Sequence, residues 1–236
     1  MAEKETVKNE KDREYYFRSR NEVVSLVPST ALEILDVGCA SGRVGKSIRA
    51  LGGERRITGI EIVKGITQEG IYDELFIGDV SEGLSRFEDE HRKFDCIIFA
   101  DVLEHLVDPW RSLSRAASLL ENGGFVVLSI PNVRNYTLIK NLLFSGSWEY
   151  EAEGLLDKTH LRFFTRKSIL DMVEQSGLTI QTVSMNKSAP TTGWKRVIHT
   201  LLSMRPQFRD LSVFQFIILA RKGFPPDSRS VHDHVI

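Results

Sequence analysis

The stretch EILDVGCASGRVG, residues 33–45, decides the fold of this chain. A short apolar run reaches Val37, small residues lead from Gly38 to Gly42, and apolar residues then recur at helical spacing. We therefore expect a buried strand, a tight turn and a helix, which is the opening unit of a nucleotide-binding sheet. Asp36 places a carboxylate just before the turn, where it would repel the pyrophosphate of a dinucleotide. A ligand with cationic groups and no phosphate fits better, and S-adenosylmethionine, with its ammonium and sulfonium, is such a ligand.

Further apolar runs continue this alternation of strands and helices. They are RITGIEI (56–62), ELFI (74–77), FDCIIFA (94–100) and FVVLSI (125–130). Between the first two of these runs, VKGITQEGIY (63–72) is expected to form a helix. Five strand–helix alternations predict an α/β protein with a doubly wound, mostly parallel sheet and ligands bound across its carboxyl edge.

Acidic residues end the second and third predicted strands. Glu61 follows Asp36 by 25 residues, close to the spacing at which a second-strand carboxylate holds ribose hydroxyls. Asp79 ends the third repeat of the pattern. With acids at three successive strand ends, the hypothesis of an S-adenosylmethionine site becomes sharper, although an incidental strand-end glutamate is the alternative for Glu61.

A second group of titratable residues follows the fourth predicted strand. Asp101, Glu104 and His105 are spaced i, i+3 and i+4, so a helix would place them on one face. His160 occurs much later, in THLRFFT. Two carboxylates and two imidazoles suit a divalent cation, magnesium or manganese by the oxygen ligands and zinc or iron by the imidazoles. The alternative is a structural turn at Glu104 and His105, with His160 as a lone general base or lid anchor.

The ends of the chain differ in character from its middle. Residues 1–14 are charged and are expected to be a flexible N-terminus. The main domain should span residues 15–222. Residues 223–236 are expected to be a disordered tail.

Two segments interrupt the alternation within the main domain. Residues 133–160 are interpreted as a lid or substrate-recognition insertion. Residues 187–211 are interpreted as a helical insertion. Within it, residues 193–204 predict an amphipathic helix that packs onto the domain or makes a peripheral membrane contact.

The net charge, hydropathy and cysteine content of the chain indicate which classes of partner and which compartment to expect. The chain has 236 residues and a formal net charge of −1, which argues against nucleic-acid binding because such domains are normally basic. Neither an apolar run long enough for a transmembrane helix nor a signal-peptide pattern is found in the sequence. Cys39 and Cys96 are expected to be buried thiols in a reducing cytoplasm. The oligomeric state stays open.

Five motifs together resemble the class I S-adenosylmethionine-dependent methyltransferases. They are LDVGCASG (35–42), the strand-end Glu61, GDV (78–80), FDCIIFADVLEHLVDP (94–109) and LLENGGFVVLSIPN (119–132). The resemblance covers roughly residues 15–185. It implies a Rossmann-like methyltransferase fold with seven strands, of which the last is antiparallel, and a lid insertion after strand five.

The resemblance also implies which residues bind the cofactor. Asp36 and the turn would line its methionine portion, and Glu61 would hold the ribose hydroxyls. Asp79 would accept a hydrogen bond from the adenine amine, and Asp101 would help to close the floor near the sulfonium. The implied cofactor-binding set is Asp36, Gly38, Cys39, Ala40, Gly42, Glu61, Ile62, Asp79, Val80, Ala100 and Asp101. Ala40 stands where the family often has glycine.

The residues after strand four resemble two branches of this family, the ubiquinone-pathway O-methyltransferases and the small-RNA 2′-O-methyltransferases. There an acid-x-x-Glu-His motif with a later histidine orients a metal that binds a substrate hydroxyl pair. This implies Asp101, Glu104, His105 and His160 as ligands, with Asp101 standing where those branches carry glutamate. The stretch 154–169 also resembles a bacterial subgroup associated with cell-surface glycan and secondary-metabolite pathways.

These features favour a cytoplasmic enzyme that moves a methyl group from S-adenosylmethionine to a hydroxyl of a small molecule or glycan precursor. Methyl transfer is an in-line displacement, so the protein must hold both reactants in near-attack geometry and remove a proton from the nucleophile. A general base or a divalent metal at the Asp101, Glu104, His105 and His160 cluster would do this. The alternatives are an RNA 2′-O-methyltransferase, a non-catalytic S-adenosylmethionine-binding protein, and a nicotinamide-dependent dehydrogenase, which Asp36 disfavours.

Overall fold

A computed structural model describes residues 20–187, 206–223 and 232–235 of the chain. The helices are α1 (Asn21–Val24), α2 (Arg43–Ala50), α3 (Val80–Asp89), α4 (Pro109–Leu119), α5 (Tyr136–Ser145) and α6 (Arg166–Gln175). The strands are β1 (Glu33–Val37), β2 (Arg56–Glu61), β3 (Glu74–Ile77), β4 (Phe94–Ala100), β5 (Leu120–Pro131), β6 (Leu178–Lys187), β7 (Val213–Lys222) and β8 (His232–Val235). In the described residues, Leu103–His105 and Pro206–Ser212 each form a short 3-10 helix.

The strands form one sheet in the order β3-β2-β1-β4-β5-β7-β6-β8. Strands β1 to β5 pair in parallel, and β7 pairs antiparallel with both β5 and β6. This confirms the predicted doubly wound sheet with an antiparallel last strand among its seven main strands. The chain runs outward from β1 to β3 and then returns to the other side of β1 with β4. The crevice for a ligand therefore lies at the carboxyl ends of β1 and β4.

Helices cover both faces of the sheet. On one face, α3, α4 and α6 bury side chains such as Phe87, Leu113 and Met172 in the larger core. On the other face, α1 and α2 bury Val23 and Ile48. Burial on both faces explains why the central strands are apolar runs without alternation.

Side chains cap the starts of α4 and α6. Asp108 accepts a hydrogen bond from the backbone N–H of Arg111 at 3.0 Å and caps α4, whose first residue is Pro109. Thr165 and Ser168 form a reciprocal capping box at the start of α6. Each arrangement satisfies backbone donors that a helix N-terminus otherwise leaves unpaired.

The predicted helix over 63–72 is wrong, because this segment consists of turns. Gly65 and Gly70 both have positive φ, 80° and 77°, a conformation that a right-handed helix does not contain. The segment returns to the sheet through Tyr72, whose position matters for the site described below.

The tail also differs from expectation. Residues 232–235 form β8, which pairs in parallel with β6 in the register Thr182 opposite His232. The outer edge of β6 offers unpaired backbone groups, and an extended segment can satisfy them.

Of the two insertions, only one is described in full. Residues 133–160 contain α5 followed by an irregular segment. Most of the expected insertion at 187–211 lies outside the described residues. The same holds for residues 193–204, expected to form an amphipathic helix, and for residues 1–14, expected to be flexible. None of the helices in the described ranges combines the length and the hydropathy needed to cross a bilayer.

Candidate functional site

The turn after β1 lies at the expected crevice and adopts a left-handed backbone at three positions. The φ angles of Gly38, Ala40 and Gly42 are 66°, 45° and 86°. A Cβ atom on Gly38 would lie 2.5 Å from Cγ2 of Val102, just past β4. Glycine at position 38 therefore allows both the turn and its close approach to the end of β4.

Asp36 lies beneath this turn and is almost fully buried, with 1% of its surface exposed. The phenol of Tyr72 donates a hydrogen bond to its Oδ2 at 2.5 Å. Burial raises the pKa of the Asp36 carboxyl to about 7, and the negative charge of Glu61 adds to this rise, whereas the Tyr72 hydrogen bond opposes it. The carboxyl thus needs a positive partner to be fully ionised near neutral pH.

Glu61 connects the end of β2 to the same turn. Its Oε2 accepts from the backbone N–H of Ala40 at 2.7 Å, and its Oε1 accepts from the backbone N–H of Val63 at 2.9 Å. The carboxylate therefore holds the turn against β2 and is itself held in one orientation. Each oxygen keeps a further lone pair, which could accept from a hydroxyl of a ligand.

The remaining predicted contacts spread along the carboxyl edge with differing exposure. Asp79 is exposed, and its Oδ1 accepts from the backbone N–H of Ser81 at 2.7 Å, which caps α3. Beside it lies a cavity of about 430 Å³ whose walls include Val80 and Arg111. Cys39 is buried and Ile62 is 66% exposed. Asp79 and Val80 thus line an open cavity at the carboxyl edge of the sheet.

Asp101 follows Ala100 at the end of β4 but has a different environment from the one expected. Its φ is 58°, and its carboxylate forms an ion pair with Arg20 and accepts hydrogen bonds from Ser129 and Gln215. Asp101, Glu104 and His105 therefore do not lie on one helix, because only Leu103–His105 forms a 3-10 turn and Asp101 precedes it in a left-handed conformation.

Glu104, His105 and His160 do come together. One possible ligand atom from each lies within 4.8 Å of the other two, and the ring centroids of the two histidines are 4.7 Å apart. The structure does not bring Asp101 into this group, which we call the Glu-His-His cluster. The 54 residues between the two histidines comprise α4, β5, α5 and the irregular segment.

The cluster contains buried polar atoms that lack partners. Both carboxylate oxygens of Glu104 and Nε2 of His160 have no hydrogen-bond partner among the residues that the structure describes. Burial, with the nearby charge of Asp101, raises the pKa of Glu104 well above its usual value. Burial, with the neighbouring His105, lowers the pKa of His160. Unpaired buried groups of this kind are costly unless something binds them.

Hydrogen bonds to backbone carbonyls determine which nitrogen of each imidazole is available. Nδ1 of His105 lies 3.2 Å from the carbonyl oxygen of Thr159, and Nδ1 of His160 lies 3.2 Å from that of Leu155. Because a carbonyl only accepts, each Nδ1 must carry the proton and donate. In the neutral imidazoles both Nε2 atoms then keep a lone pair, as histidine ligands of a metal do.

A second cavity, of about 290 Å³, lies between α5 and the irregular segment that follows it. Its walls include Asn141, Trp148, Glu151 and Leu155, and Phe214 of β7. Because the carbonyl of Leu155 also accepts from His160, this cavity adjoins the Glu-His-His cluster through one residue. A methyl acceptor bound at the cluster could extend into this cavity.

Sequence reasoning missed several residues of the site. Tyr72 was assigned to a helix, whereas its phenol holds Asp36. Arg20, Ser129 and Gln215 were not connected with Asp101, since they come from three distant parts of the chain. No local spacing could have revealed these contacts, because they depend on how the sheet edge brings distant segments together.

Comparison with known sequences identifies the family. A profile described as a methyltransferase domain matches residues 9–183. Ubiquinone biosynthesis O-methyltransferase of Bartonella quintana is 26% identical over 199 residues, which cover 78% of this chain and 77% of that protein. The mitochondrial protein of the same name from Candida albicans is 25% identical over 80% of this chain, but the match spans 60% of its own length.

Solved structures agree on the fold. An S-adenosylmethionine-dependent methyltransferase from Archaeoglobus fulgidus has a TM-score of 0.61 at 18% identity, covering 89% of this chain and 97% of that one. The 1,6-didemethyltoxoflavin-N1-methyltransferase of Burkholderia thailandensis, solved with its substrate and S-adenosylhomocysteine, has a TM-score of 0.55 at 15% identity, covering 91% and 83%. With the sheet order, the glycine turn and the profile match in agreement, the chain belongs to the methyltransferase domain family and is an S-adenosylmethionine-dependent methyltransferase.

Proposed function

We propose that this methyltransferase acts on a hydroxyl group of a small molecule and holds a divalent cation at the Glu-His-His cluster. The observation that carries the proposal is the convergence of Glu104, His105 and His160, with buried ligand atoms that have no hydrogen-bond partner in the described part of the chain. The relatives described above are named as O-methyltransferases of ubiquinone biosynthesis, and this name supports oxygen as the atom methylated.

The cluster fits a cation by the chemistry of its donors. Glu104 supplies a carboxylate, and the imidazoles of His105 and His160 supply nitrogen ligands that are already oriented by carbonyl acceptors. Two imidazoles with one carboxylate suit manganese, iron or zinc. A cation would also remove the cost of leaving the Glu104 oxygens buried without partners. In this arrangement Asp101 is not a ligand and instead supports the floor of the site beside Ala100.

The cofactor would lie across the ends of β1, β2 and β3. Asp36, with its pKa raised by burial, would gain the positive partner it needs in the ammonium of the methionine portion. The turn from Gly38 to Gly42, including Cys39 and Ala40, would approach that portion closely. Glu61 would accept from the ribose hydroxyls, with Ile62 beside it, and Asp79 and Val80 would flank the adenine. These roles follow from position and donor chemistry, and ligand-binding measurements on variants test them.

The reaction would need little from the protein beyond positioning and proton removal. The methyl group is already activated on the sulfonium, so the acceptor oxygen must lie in line with the carbon–sulfur bond. A divalent cation, when bound, would orient the hydroxyl and lower its pKa. Without a cation, Nε2 of His160 could accept the proton directly as a general base. We infer that residues 133–160 form the lid over the acceptor.

The donor chemistry of the Glu-His-His cluster favours one class of acceptor. A small molecule with neighbouring hydroxyls fits a cation site best, and a glycan precursor remains within the proposal because sugars also carry such hydroxyl pairs. RNA 2′-O-methylation is less favoured because the net charge of −1 gives no electrostatic attraction to phosphates. We also infer a cytoplasmic location, which suits the two free, buried thiols of Cys39 and Cys96.

A methylation assay with labelled cofactor tests this function. Across a panel of catechols and sugars, we expect transfer to at least one hydroxyl, and loss of most activity after chelation or in His160→Ala. Binding of S-adenosylhomocysteine, measured calorimetrically, should be unchanged by His160→Ala. His91→Asn, at an exposed histidine of positive φ, is the matched control.

Three outcomes would contradict parts of the proposal. Full activity of metal-free protein in chelator would exclude the cation and leave His160 as a base. Full activity of His160→Ala would remove the cluster from the reaction altogether. Cofactor binding without transfer to any member of the panel would favour a non-catalytic binding protein.

A further inference from the structure

We infer that Asp157 and Thr159 are positioning residues that fix the His105 imidazole for cation binding. This inference rests on the proposed function, since it concerns the same Glu-His-His cluster. Neither residue belongs to the cluster, and neither was among the residues expected from the sequence. Two hydrogen bonds in series connect Asp157, through the hydroxyl of Thr159, to Nδ1 of His105.

The first bond of the chain involves the imidazole itself. Nδ1 of His105 lies 3.0 Å from the hydroxyl oxygen of Thr159 and 3.2 Å from the carbonyl oxygen of the same residue. The carbonyl can only accept, so the Nδ1 proton points toward Thr159 and is shared by its two oxygens. The hydroxyl must therefore also act as an acceptor for this proton.

Asp157 makes the Thr159 hydroxyl an acceptor. A hydroxyl has one proton to donate, and Oγ1 of Thr159 donates it to Oδ1 of Asp157 at 2.7 Å. The same Oδ1 accepts from the backbone N–H of Thr159 at 2.8 Å, and Asp157 is 6% exposed. The buried carboxylate thus fixes both the place of Thr159 and the direction of its hydroxyl. Through this direction it holds His105 in the tautomer whose Nε2 is free to bind a cation.

The surrounding segment holds all three members of the cluster. The backbone N–H of His160 donates to the carbonyl of Asp157 at 2.9 Å, and Nδ1 of His160 donates to the carbonyl of Leu155. One residue further on, the backbone N–H of Leu161 donates to the carbonyl of Glu104 at 2.8 Å. Hydrogen bonds made by residues 155–161 therefore hold all three members of the Glu-His-His cluster. Asp157 lies near the centre of this segment.

This geometry predicts which substitutions matter. Thr159→Val keeps the shape of the side chain but removes the hydroxyl, so His105 loses one of its two acceptors. Thr159→Ser keeps the hydroxyl and should behave as the original protein does. In the same way Asp157→Ala removes the acceptor of the chain, whereas Asp157→Asn keeps an amide oxygen that can accept from both Thr159 groups.

Manganese affinity in the presence of S-adenosylhomocysteine is the first readout. Electron paramagnetic resonance of free Mn²⁺ should show affinity falling about 10-fold or more in Thr159→Val and Asp157→Ala, the range typical for loss of an outer partner of a metal ligand. Thr159→Ser should stay within about twofold of the original affinity, and Asp157→Asn should bind more tightly than Asp157→Ala. Equal S-adenosylhomocysteine affinities will show that all variants fold.

The tautomer of His105 is the second readout and needs no metal. Nitrogen-15 NMR should show its proton on Nδ1 in the original protein and in Thr159→Ser, and a smaller share of that tautomer in Thr159→Val, where only the carbonyl remains of the two Thr159 acceptors. Unchanged manganese affinity in Thr159→Val would overturn the positioning role while leaving the cation site intact. Absence of manganese binding by the unaltered protein would overturn the cation site and this role together.

Discussion

Ala40 is held in the left-handed backbone conformation that glycine adopts most readily. Its φ of 45° costs an L-residue about 1–2 kcal/mol, part of which Ala recovers by restricting the unfolded chain. We predict that Ala40→Gly raises the free energy of unfolding by about 0.5 kcal/mol, measured by urea denaturation. The matched control is Ala50→Gly at the exposed end of α2, which should lower it. A loss of stability in Ala40→Gly would contradict this account of the turn.

Asp36 gives a prediction for stability as a function of pH. Its pKa is raised from 3.8 to about 7, so the folded state binds the proton more tightly than the unfolded state. The resulting stabilisation is present below pH 3.8 and is lost as pH rises to about 7. Asp36→Asn has no such loss. The variant should therefore gain about 2 kcal/mol in unfolding free energy, relative to the original protein, between pH 5.5 and pH 7.5.

Urea denaturation at several pH values checks this prediction. Asp89→Asn, on the exposed side of α3, is the control and should show no comparable change. A constant difference between Asp36→Asn and the original protein across this range would mean that burial does not perturb the carboxyl. In that case the argument that Asp36 needs a cationic ligand would lose its basis.

Single residues could be predicted from sequence where their role is local. Asp36, Gly38 and Glu61 were identified because a strand end, a turn and a fixed spacing are visible along the chain. Asp101 was assigned to the cluster for the same reason, and wrongly, because its partners Arg20 and Gln215 are distant in sequence. Contacts between distant residues leave no local pattern.

At the scale of elements, Glu61 connects the turn after β1 to the segment that follows β2. Its carboxylate pairs with backbone N–H groups on both sides, those of Ala40 and Val63. We predict that Glu61→Ala weakens S-adenosylhomocysteine binding at least about 10-fold, because two backbone N–H groups that position the turn lose their acceptor and the proposed ribose contact disappears. Calorimetric titration measures this. Glu54→Ala, at an exposed turn, is the control, and undiminished binding in Glu61→Ala would remove it from the cofactor site.

Elements were predictable where a start and a stop signal coincide. The cap at Asp108, with Pro109 behind it, and the cap at Thr165 gave α4 and α6 their correct starts. The segment 63–72 has apolar residues at helical spacing but contains Gly65 and Gly70, whose positive φ values break the helix. The edge strand β8 could not be predicted because its pairing with β6 is made across the fold.

At the scale of the whole molecule, the order of the strands creates the site. The switch between β1 and β4 places the cofactor turn next to the segment that carries Glu104. The long connection after β5 then returns over the same edge and delivers His160 to His105. The sheet class was predictable from the alternation of apolar runs. The meeting of the two histidines was suggested by residue type and by resemblance but by no sequence spacing, because it depends on the path of a segment without regular structure.

The most direct test of the cation site is a crystal structure of the protein grown with S-adenosylhomocysteine and manganese chloride. Anomalous diffraction should show one manganese peak at a bonding distance of about 2.2 Å from a Glu104 oxygen and from Nε2 of both His105 and His160. The peak should leave Asp101 in its pair with Arg20. Clear density for the cofactor with no anomalous peak at these three residues would contradict the proposed mechanism.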